Sequence, residues 1–259
     1  MEFAPKAFSL VTFFILSLFM LQKIYDSLLS LAYPQACQIC QKSVENSRDG
    51  VACRDCWQKT RIFSGGETLC AKCSAFLREG PTGFPAFCHR CDDHFYDRAA
   101  AVGLYENALA ASVLNLKREP RVARTLSRLF VSAFENCRFE DALLIIPVPL
   151  SKKRLLERTF NQAEVLAEIL AKERRLRTDT QSLARKIHTP MHRAAMDRKA
   201  RELTVADAFE VTRPNFVKNK TVLLVDDVFT SGATASSCAK VLKKKGAVKV
   251  YVMTVARAV

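Results

Sequence analysis

The chain has 259 residues, 49% of them hydrophobic, so a sizeable core is expected and a largely unfolded chain is excluded. Lysine and arginine total 40 and aspartate and glutamate total 26, which gives a formal net charge of +14. Such an excess favours polyanionic partners, namely nucleic acid, phosphorylated substrates or an anionic membrane surface, without choosing among them. The length predicts one ordinary domain together with a smaller one.

The N-terminal segment, residues 1–36, is predicted to be hydrophobic and helical. Residues 7–22 carry no charge, but they are shorter than the roughly 18–20 residues expected of a bilayer span. The flanks are weak for a secretory signal, because Glu2 and Lys6 offset each other. Three interpretations stay open for residues 7–22: a helix packed on the core or on a partner, a membrane anchor, or a signal. Residues 23–32 predict a second, amphipathic helix.

Four Cys-x2-Cys pairs follow, separated by 12, 13 and 14 residues. Each pair presents two thiolates from one tight turn, which is half of a tetrahedral zinc site, so four pairs fill two sites. The predicted zinc ligands are Cys37, Cys40, Cys53, Cys56, Cys70, Cys73, Cys88 and Cys91. A disulfide framework is the alternative, and the cellular compartment decides between the two.

The spacing allows two ways of combining these pairs. Sequential combination gives two zinc ribbons, and a cross-brace exchanges pairs between the sites. A site filled by four cysteines has no open coordination position, so a structural role is predicted for both zinc ions. His89 and His94 flank the last pair and are interpreted as bystanders, because the cysteines already complete the ligand sets.

From residue 99 onward the paired cysteines stop and strand and helix patterns alternate. Strands are predicted at residues 99–105, 143–146, 222–225 and 248–255, and helices at 108–116, 122–134, 161–173 and after residue 234. This alternation predicts an α/β fold with a doubly wound, mainly parallel sheet that binds its ligand at the carboxyl ends of the strands. The predicted domains are residues 1–36, a double zinc ribbon over 37–98 and the sheet domain over 99–259.

The sheet domain is organised around residues 222–234. Four apolar residues, 222–225, predict a strand buried on both faces, and Asp226 and Asp227 follow where that strand is expected to end. A short loop of small and hydroxyl residues leads into the next helix. The loop residues are Thr230, Ser231, Gly232, Ala233 and Thr234.

This strand, loop and helix predict a ribose 5-phosphate site. Backbone N–H groups at the start of a helix attract an anion, and Gly232 lets the backbone approach it closely. Asp226 and Asp227 repel a phosphate but suit the neighbouring hydroxyls of a ribose, which need acceptors. The alternative is a capped helix after an acidic turn.

Residues 222–234 closely resemble the phosphoribosyl pyrophosphate (PRPP) motif of type I phosphoribosyltransferases. The resemblance implies that Asp226 and Asp227 bind the ribose hydroxyls and are the catalytic residues, and that the loop at 230–234 binds the 5′-phosphate. It also implies a cytosolic protein, because PRPP is made in the cytosol, and therefore zinc rather than disulfides at the cysteines.

More of the chain resembles the ComF (competence protein F) family, phosphoribosyltransferase-like proteins with an N-terminal double zinc ribbon. The resemblance extends from residue 28 to 259 and rests on the cysteine pairs, the PRPP motif and segments at 116–117, 146–150, 154–163, 189–190 and 208–209. Thr159, His192 and Thr204 depart from the family's glycine, glutamine and asparagine. His192 and Thr204 fall in residues 185–207, the position of the hood over the acceptor site, so the acceptor is left unassigned.

The departing pyrophosphate in such a reaction needs Mg²⁺ and cationic side chains. The turn after Ile146, with Pro147 and Val148, is the expected pyrophosphate-facing loop. Mg²⁺ would be held largely by pyrophosphate, ribose hydroxyls and water.

The charge partners expected near this loop are Lys152, Arg154 and Arg158, with Lys117 as a weaker candidate. The alternative for these cations is a solvated basic face. The adjacent Asn161 and Gln162 are open to a second reading, as a simple helix cap.

Three functions of different classes fit these features. We favour a PRPP-binding, ComF-type protein of DNA uptake or natural transformation. Its expected partners are single-stranded DNA and other DNA-uptake proteins, and its expected location is the cytoplasm, with contact to the inner membrane face through residues 7–22. A metabolic phosphoribosyltransferase that forms a nucleotide or amine precursor is the second function, and a non-catalytic nucleic-acid-binding module with a PRPP sensor site is the third.

Basic clusters occur at residues 118–128, 172–177 and 193–201. If they share a face, they would track a nucleic-acid backbone by displacing its counterions. Scattered solvated charge is the alternative.

Overall fold

The computed structural model describes residues 35–77, 85–137, 139, 141–186 and 208–258. The predicted helices at 7–22 and 23–32, the segment at 189–190, His192, Thr204 and the basic cluster at 193–201 lie outside the described residues. Across the described ranges, no helix has the length and apolar character needed to span a membrane.

Five parallel strands form the central sheet. They are β1 (Arg98–Leu104), β2 (Leu144–Pro147), β3 (Arg177–Thr178), β6 (Thr221–Phe229) and β7 (Lys249–Arg257), arranged in the order β1, β7, β6, β2, β3. Two short strands, β4 (Leu183–Arg185) and β5 (Phe209–Val211), pair antiparallel with each other. The central β6 is fully buried over residues 222–225, as its run of apolar residues predicted.

Helices cover both faces of the sheet. The helices in the described residues are α1 (Arg54–Gln58), α2 (Asn107–Leu116), α3 (Arg124–Asn136), α4 (Lys152–Arg158), α5 (Gln162–Arg174), α6 (Pro214–Val217) and α7 (Ala233–Lys244). Apolar residues of α2, α3 and α5 pack on one face, and those of α7, β4 and β5 pack on the other. The predicted fold class, a doubly wound and mainly parallel α/β sheet, is confirmed.

One predicted boundary needs correction, and one helix was not predicted. The central strand was expected to end at Asp226, but β6 continues to Phe229 because it keeps pairing with β7 as far as Arg257. Pairing with β2 does stop at Val225, so the acids follow the last paired residue on that side only. Residues 152–158, for which the sequence predicted no helix, form α4, and its start is capped by Ser151, whose Oγ accepts the Arg154 N–H.

The cysteine pairs form two small units, which we call the first ribbon (residues 35–60) and the second ribbon (residues 68–77 and 85–97). The first ribbon has its own small core, shared with Ala108 of α2. The second ribbon packs Cys70, Cys91 and Tyr96 into the same apolar cluster as β6, β7 and α7. The predicted domain boundaries stay predictions, but this second unit shares its core with the sheet.

Candidate functional site

The eight predicted zinc ligands fall into two sets. The sulfur atoms of Cys37, Cys40, Cys53 and Cys56 lie within 4.8 Å of one another, and so do those of Cys70, Cys73, Cys88 and Cys91. Individual Sγ–Sγ distances are 3.5–3.7 Å, close to the roughly 3.8 Å that separates ligands placed tetrahedrally about 2.3 Å from zinc. The two sets therefore fit two structural zinc ions. The pairs combine sequentially, which excludes the cross-brace alternative.

Backbone donors prepare one thiol in each set for metal. Burial opposes ionisation of Cys37, but backbone N–H groups, those of Cys40 and Cys53 foremost, outweigh it and lower its pKa to about 6. Burial likewise opposes ionisation of Cys70, but the backbone N–H groups of Cys73 and Cys88 outweigh it and lower the pKa of Cys70 to about 7. The thiolate is the form that binds zinc, so these donors favour the metal-bound state.

Asp226 and Asp227 lie in the last part of β6, directly after the residues that pair with β2. Burial, and then the charge of Asp227, raise the pKa of Asp226 well above its ordinary range. The Asp227 N–H donates to Oδ1 of Asp226 at 2.9 Å. Successive strand residues face opposite ways, and the Asp227 carboxylate lies 3.5 Å from Nζ of Lys117 at the end of α2. Lys117, the weaker candidate from the sequence, thus contacts the acid pair directly.

The predicted phosphate loop joins β6 to α7. Gly232 has φ 84° and precedes the first helical residue, Ala233, so the loop turns through a conformation that favours glycine. The Ser231 Oγ accepts the Ala233 N–H at 3.4 Å. Thr230 is exposed and Thr234 half-buried, so hydroxyl groups remain accessible on both sides of the turn.

The turn after β2 lies beside the acid pair. Pro147 is paired with Val225, and the Val148 N–H donates to the Val225 carbonyl at 2.9 Å. Asn161 holds the same turn, because its Nδ2 donates to the Val148 carbonyl at 3.1 Å. Its Oδ1 accepts the Ala163 N–H at 3.1 Å, so Asn161 caps α5 and also fixes the predicted pyrophosphate-facing loop.

The predicted cations take different positions. Arg158 donates through Nη1 to Oε1 of Gln162 at 2.9 Å, and Gln162 is buried. Lys152 is exposed at the start of α4. Arg154 is half-buried and electrostatically close to Arg185 on β4.

Arg185 is a candidate site residue that the sequence analysis did not identify. Burial and the like charge of Arg154 lower its pKa, and the charges of Cys238 and Asp226 oppose this effect. Arg185 is therefore within electrostatic range of both Arg154 and Asp226. The three-residue β4 gave no recognisable sequence pattern, so only the tertiary fold could reveal Arg185.

The two described basic clusters lie near opposite ends of α3. Residues 118–128 lead into the start of α3, whereas Arg174 of the other cluster pairs with Glu135 near the end of α3 at 2.8 Å. Arg124 and Glu135 are about 16 Å apart along the helix axis, at about 1.5 Å per residue. Of these two described clusters, the one at 118–128 directly follows Lys117 in the sequence, and Lys117 contacts Asp227.

Comparison with known proteins identifies a double zinc ribbon and relatives that match most of the chain. Residues 28–92 match the model of the double zinc ribbon domain. The DNA utilization protein YhgH of Shigella flexneri is 28% identical over 240 residues, which cover 88% of this chain and 99% of the relative. Competence protein F of Haemophilus influenzae is 27% identical over 231 residues, which cover 86% of this chain and 96% of the relative.

Among solved structures, glutamine PRPP amidotransferase from B. subtilis is similar with a TM-score of 0.33 and 18% identity. The similarity covers 57% of this chain and only 26% of that enzyme. The fold assignment above therefore rests on the strand order and not on this likeness. The sequence relatives and the zinc ribbon match confirm the predicted resemblance to the ComF family: the chain is homologous over most of its length to competence protein F and YhgH, and it carries an N-terminal double zinc ribbon.

Proposed function

We propose that this protein binds PRPP at the carboxyl end of β6 and acts as a phosphoribosyltransferase-like protein in DNA uptake or natural transformation. The observation that carries the proposal is the order of groups along one chain segment: two acids in β6 directly after its pairing with β2 stops, then a glycine turn with a positive φ, then the start of α7. The names of the relatives, which refer to DNA utilization and competence, support the biological setting.

In the proposed complex, each part of PRPP has its own partner. Asp226 and Asp227 accept hydrogen bonds from the ribose hydroxyls, and the loop at residues 230–234 donates to the 5′-phosphate. The turn at Pro147 and Val148 faces the pyrophosphate. Mg²⁺ accompanies PRPP and neutralises pyrophosphate charge, while protein groups leave most of its coordination to PRPP and water.

The proposed transfer breaks the bond between C1 and the pyrophosphate oxygen, and the electron pair leaves with pyrophosphate. A lone pair of the acceptor forms the new bond at C1. Arg185, which is within electrostatic range of Asp226, and Arg154, which is within range of Arg185, would supply positive charge that stabilises the leaving group. Arg158, whose guanidinium donates to Gln162, is a further charge partner in this scheme.

The proposed polyanionic partner is single-stranded DNA. Arg118, Arg121, Arg124 and Arg128 are all exposed and follow Lys117 along the chain. Their charge would attract a phosphate backbone to the edge of the PRPP site. A cytoplasmic location follows from the proposal, because PRPP is a cytosolic metabolite.

Calorimetric titration with PRPP and Mg²⁺, with and without single-stranded DNA, tests the proposal. PRPP binding that responds to DNA supports a role in DNA processing. PRPP binding indifferent to DNA favours a metabolic transferase, and absence of PRPP binding overturns the site assignment. Arg124→Glu should weaken DNA binding, whereas Lys172→Glu, in the cluster at the other end of α3, serves as the matched control.

A further inference from the structure

We propose that the second ribbon is part of the PRPP site. In this proposal His94 positions the phosphate loop, so that zinc in the second cysteine set and PRPP in the loop strengthen each other's binding. The inference rests on the proposed PRPP function and adds a regulatory metal to it. Zinc in the first cysteine set is not expected to affect PRPP binding.

His94 lies directly against the phosphate loop. A Cβ placed on Gly232 would lie 2.9 Å from Cε1 of His94 and 2.7 Å from Cζ of Phe229, which is closer than real Cβ contacts. Glycine is therefore required at position 232 both by its φ of 84° and by the imidazole packed on it. Any shift of His94 would act on the backbone whose N–H groups are proposed to bind phosphate.

The second ribbon fixes the position of His94. The His94 N–H donates to the carbonyl of the zinc ligand Cys91 at 3.1 Å, and Lys72, between two other ligands, donates to the His94 carbonyl at 2.8 Å. The Nδ1 of His94 forms a hydrogen bond of 2.7 Å with the hydroxyl of buried Tyr96. The imidazole is thereby tied to the residues that fold around the metal.

The ribbon also contacts the chain on both sides of the loop. Before the loop, the Tyr96 ring meets the Phe229 ring edge to face, with centroids 5.8 Å apart. After the loop, Ser236 in the first turns of α7 accepts the Phe95 N–H at 3.2 Å. The loop is therefore held between two attachment points on one ribbon.

A cavity of about 470 Å³ lies between the second cysteine set and the phosphate loop and is lined by residues of both. Its lining includes Cys73 and Cys91 on the ribbon side and Thr230 and Ser231 on the loop side. Arg257 crosses between them, since its Nη1 donates to the Cys73 carbonyl at 2.6 Å and its guanidinium stacks over Phe229 at 4.8 Å. Arg257 is buried, so this link is shielded from solvent.

The first ribbon is attached elsewhere. Asn107 of α2 donates to the Lys59 carbonyl at 3.0 Å, and Thr125 of α3 donates to the Asp49 carboxylate at 2.6 Å. Among the described contacts, none joins the first ribbon to residues 230–234. The two zinc ions are therefore expected to respond differently to PRPP.

Coupling between two binding sites is reciprocal. If zinc in the second set raises the affinity for PRPP by some factor, PRPP must raise the affinity for that zinc by the same factor. This requirement supplies a test that needs no catalytic activity and no mutation.

The mutational test compares the two histidines beside the last cysteine pair. His94→Ala should weaken PRPP binding about tenfold, the effect of losing roughly one well-placed hydrogen bond and its packing, with both zinc ions retained. His89→Ala should bind PRPP like the parent protein, because His89 is exposed and contacts Asp92 instead. His94→Asn should recover part of the affinity, since its amide can still reach the Tyr96 hydroxyl. Parental affinity in His94→Ala would overturn the inference.

The metal test is an equilibrium titration with a chromophoric chelator, with and without saturating PRPP and Mg²⁺. One zinc ion per chain should be held about tenfold more tightly in the presence of PRPP and the other should be unaffected. His94→Ala should lose this protection and His89→Ala should keep it. Equal protection of both ions, or of neither, would contradict the inference even if the alanine variant failed to fold. Failure of the parent protein to bind PRPP at all would instead overturn the proposed function.

Discussion

The two ribbons use the same ligands at nearly the same spacing, yet they are connected to the rest of the molecule in different ways. Cys37, Cys53 and Cys56 are buried in a small apolar cluster to which the sheet domain contributes Ala108 of α2. Cys70, Cys73 and Cys91 are buried in the main apolar cluster, together with β6, β7 and α7. One metal centre therefore supports a peripheral unit, and the other supports the element that presents the candidate site.

This contrast shows that a zinc ligand set does not define its own role. In both ribbons zinc would add to the small amount of apolar packing that so few residues can build. What differs is the surface each folded ribbon offers. The second ribbon offers Tyr96 and His94 to the end of β6, and the first offers Thr60 to α2, where Thr60 Oγ1 accepts the Ala108 N–H at 3.1 Å.

The largest expected effect comes from removing one ligand of each set. Cys91→Ser should lower the free energy of unfolding of the sheet by about 4 kcal/mol, because loss of that zinc opens the main core. Cys56→Ser should affect the first ribbon and change the sheet by less than about 1 kcal/mol. Hydrogen exchange of β6 and β7 amides would distinguish the two, and equal losses in both variants would remove the contrast.

Substitution of the acid pair should affect PRPP binding but not zinc binding. Asp226→Ala combined with Asp227→Ala should weaken PRPP binding at least about a hundredfold, since two charge-assisted hydrogen bonds to the ribose are lost. Calorimetry gives the affinity, and metal analysis should still find two zinc ions per chain. Unaltered PRPP affinity would show that the site lies elsewhere.

Each ribbon is joined to the sheet domain by an arginine, and replacing these arginines should lower the free energy of unfolding by a smaller amount. Arg257→Met keeps an unbranched side chain that can pack in the same space but removes the hydrogen bond to the Cys73 carbonyl, and it should cost about 2 kcal/mol because both partners are buried. Arg61, directly after the first ribbon, forms an exposed ion pair with Glu106, and Arg61→Met should cost less because solvent screens that pair. Urea unfolding gives the free energy of unfolding of both variants. A larger loss of stability in Arg61→Met than in Arg257→Met would contradict the conclusion that the second ribbon is attached more tightly than the first.

The smallest expected effect is a gain in stability. The pKa of Asp226 is raised in the folded protein, so the parent protein loses stability as pH rises from the unfolded value of about 3.9 through the folded pKa. Asp226→Asn removes this cost and should be more stable at neutral pH by at least about 0.5 kcal/mol, beyond the range of a surface substitution. Thermal unfolding between acidic and neutral pH should show a flatter profile for the variant, while Asp55→Asn, at an exposed position, serves as control. A variant with the parental pH slope would contradict the effect assigned to Asp226.

Much of the site could be predicted because its chemistry is local. The acids, the loop at residues 230–234 and each cysteine pair are contiguous in sequence, and each carries its own signal. Asn161 shows the limit of this approach, since capping was predictable but its bond to Val148 was not. That bond joins residues whose positions depend on how α5 packs beside β2.

By itself, the sequence determined the eight thiolates, the adjacent acids, the glycine turn and the alternation of strands and helices, because spacing and hydrophobic periodicity act over a few residues. Only the tertiary structure decided that the cysteine pairs combine sequentially, that β6 continues past its acids, and that Arg185 and Lys117 lie beside them. The same holds for His94 against Gly232, a contact between distant parts of the chain that the packing of one ribbon on the sheet creates. Such contacts leave no periodic mark in the sequence, because they depend on where whole elements meet.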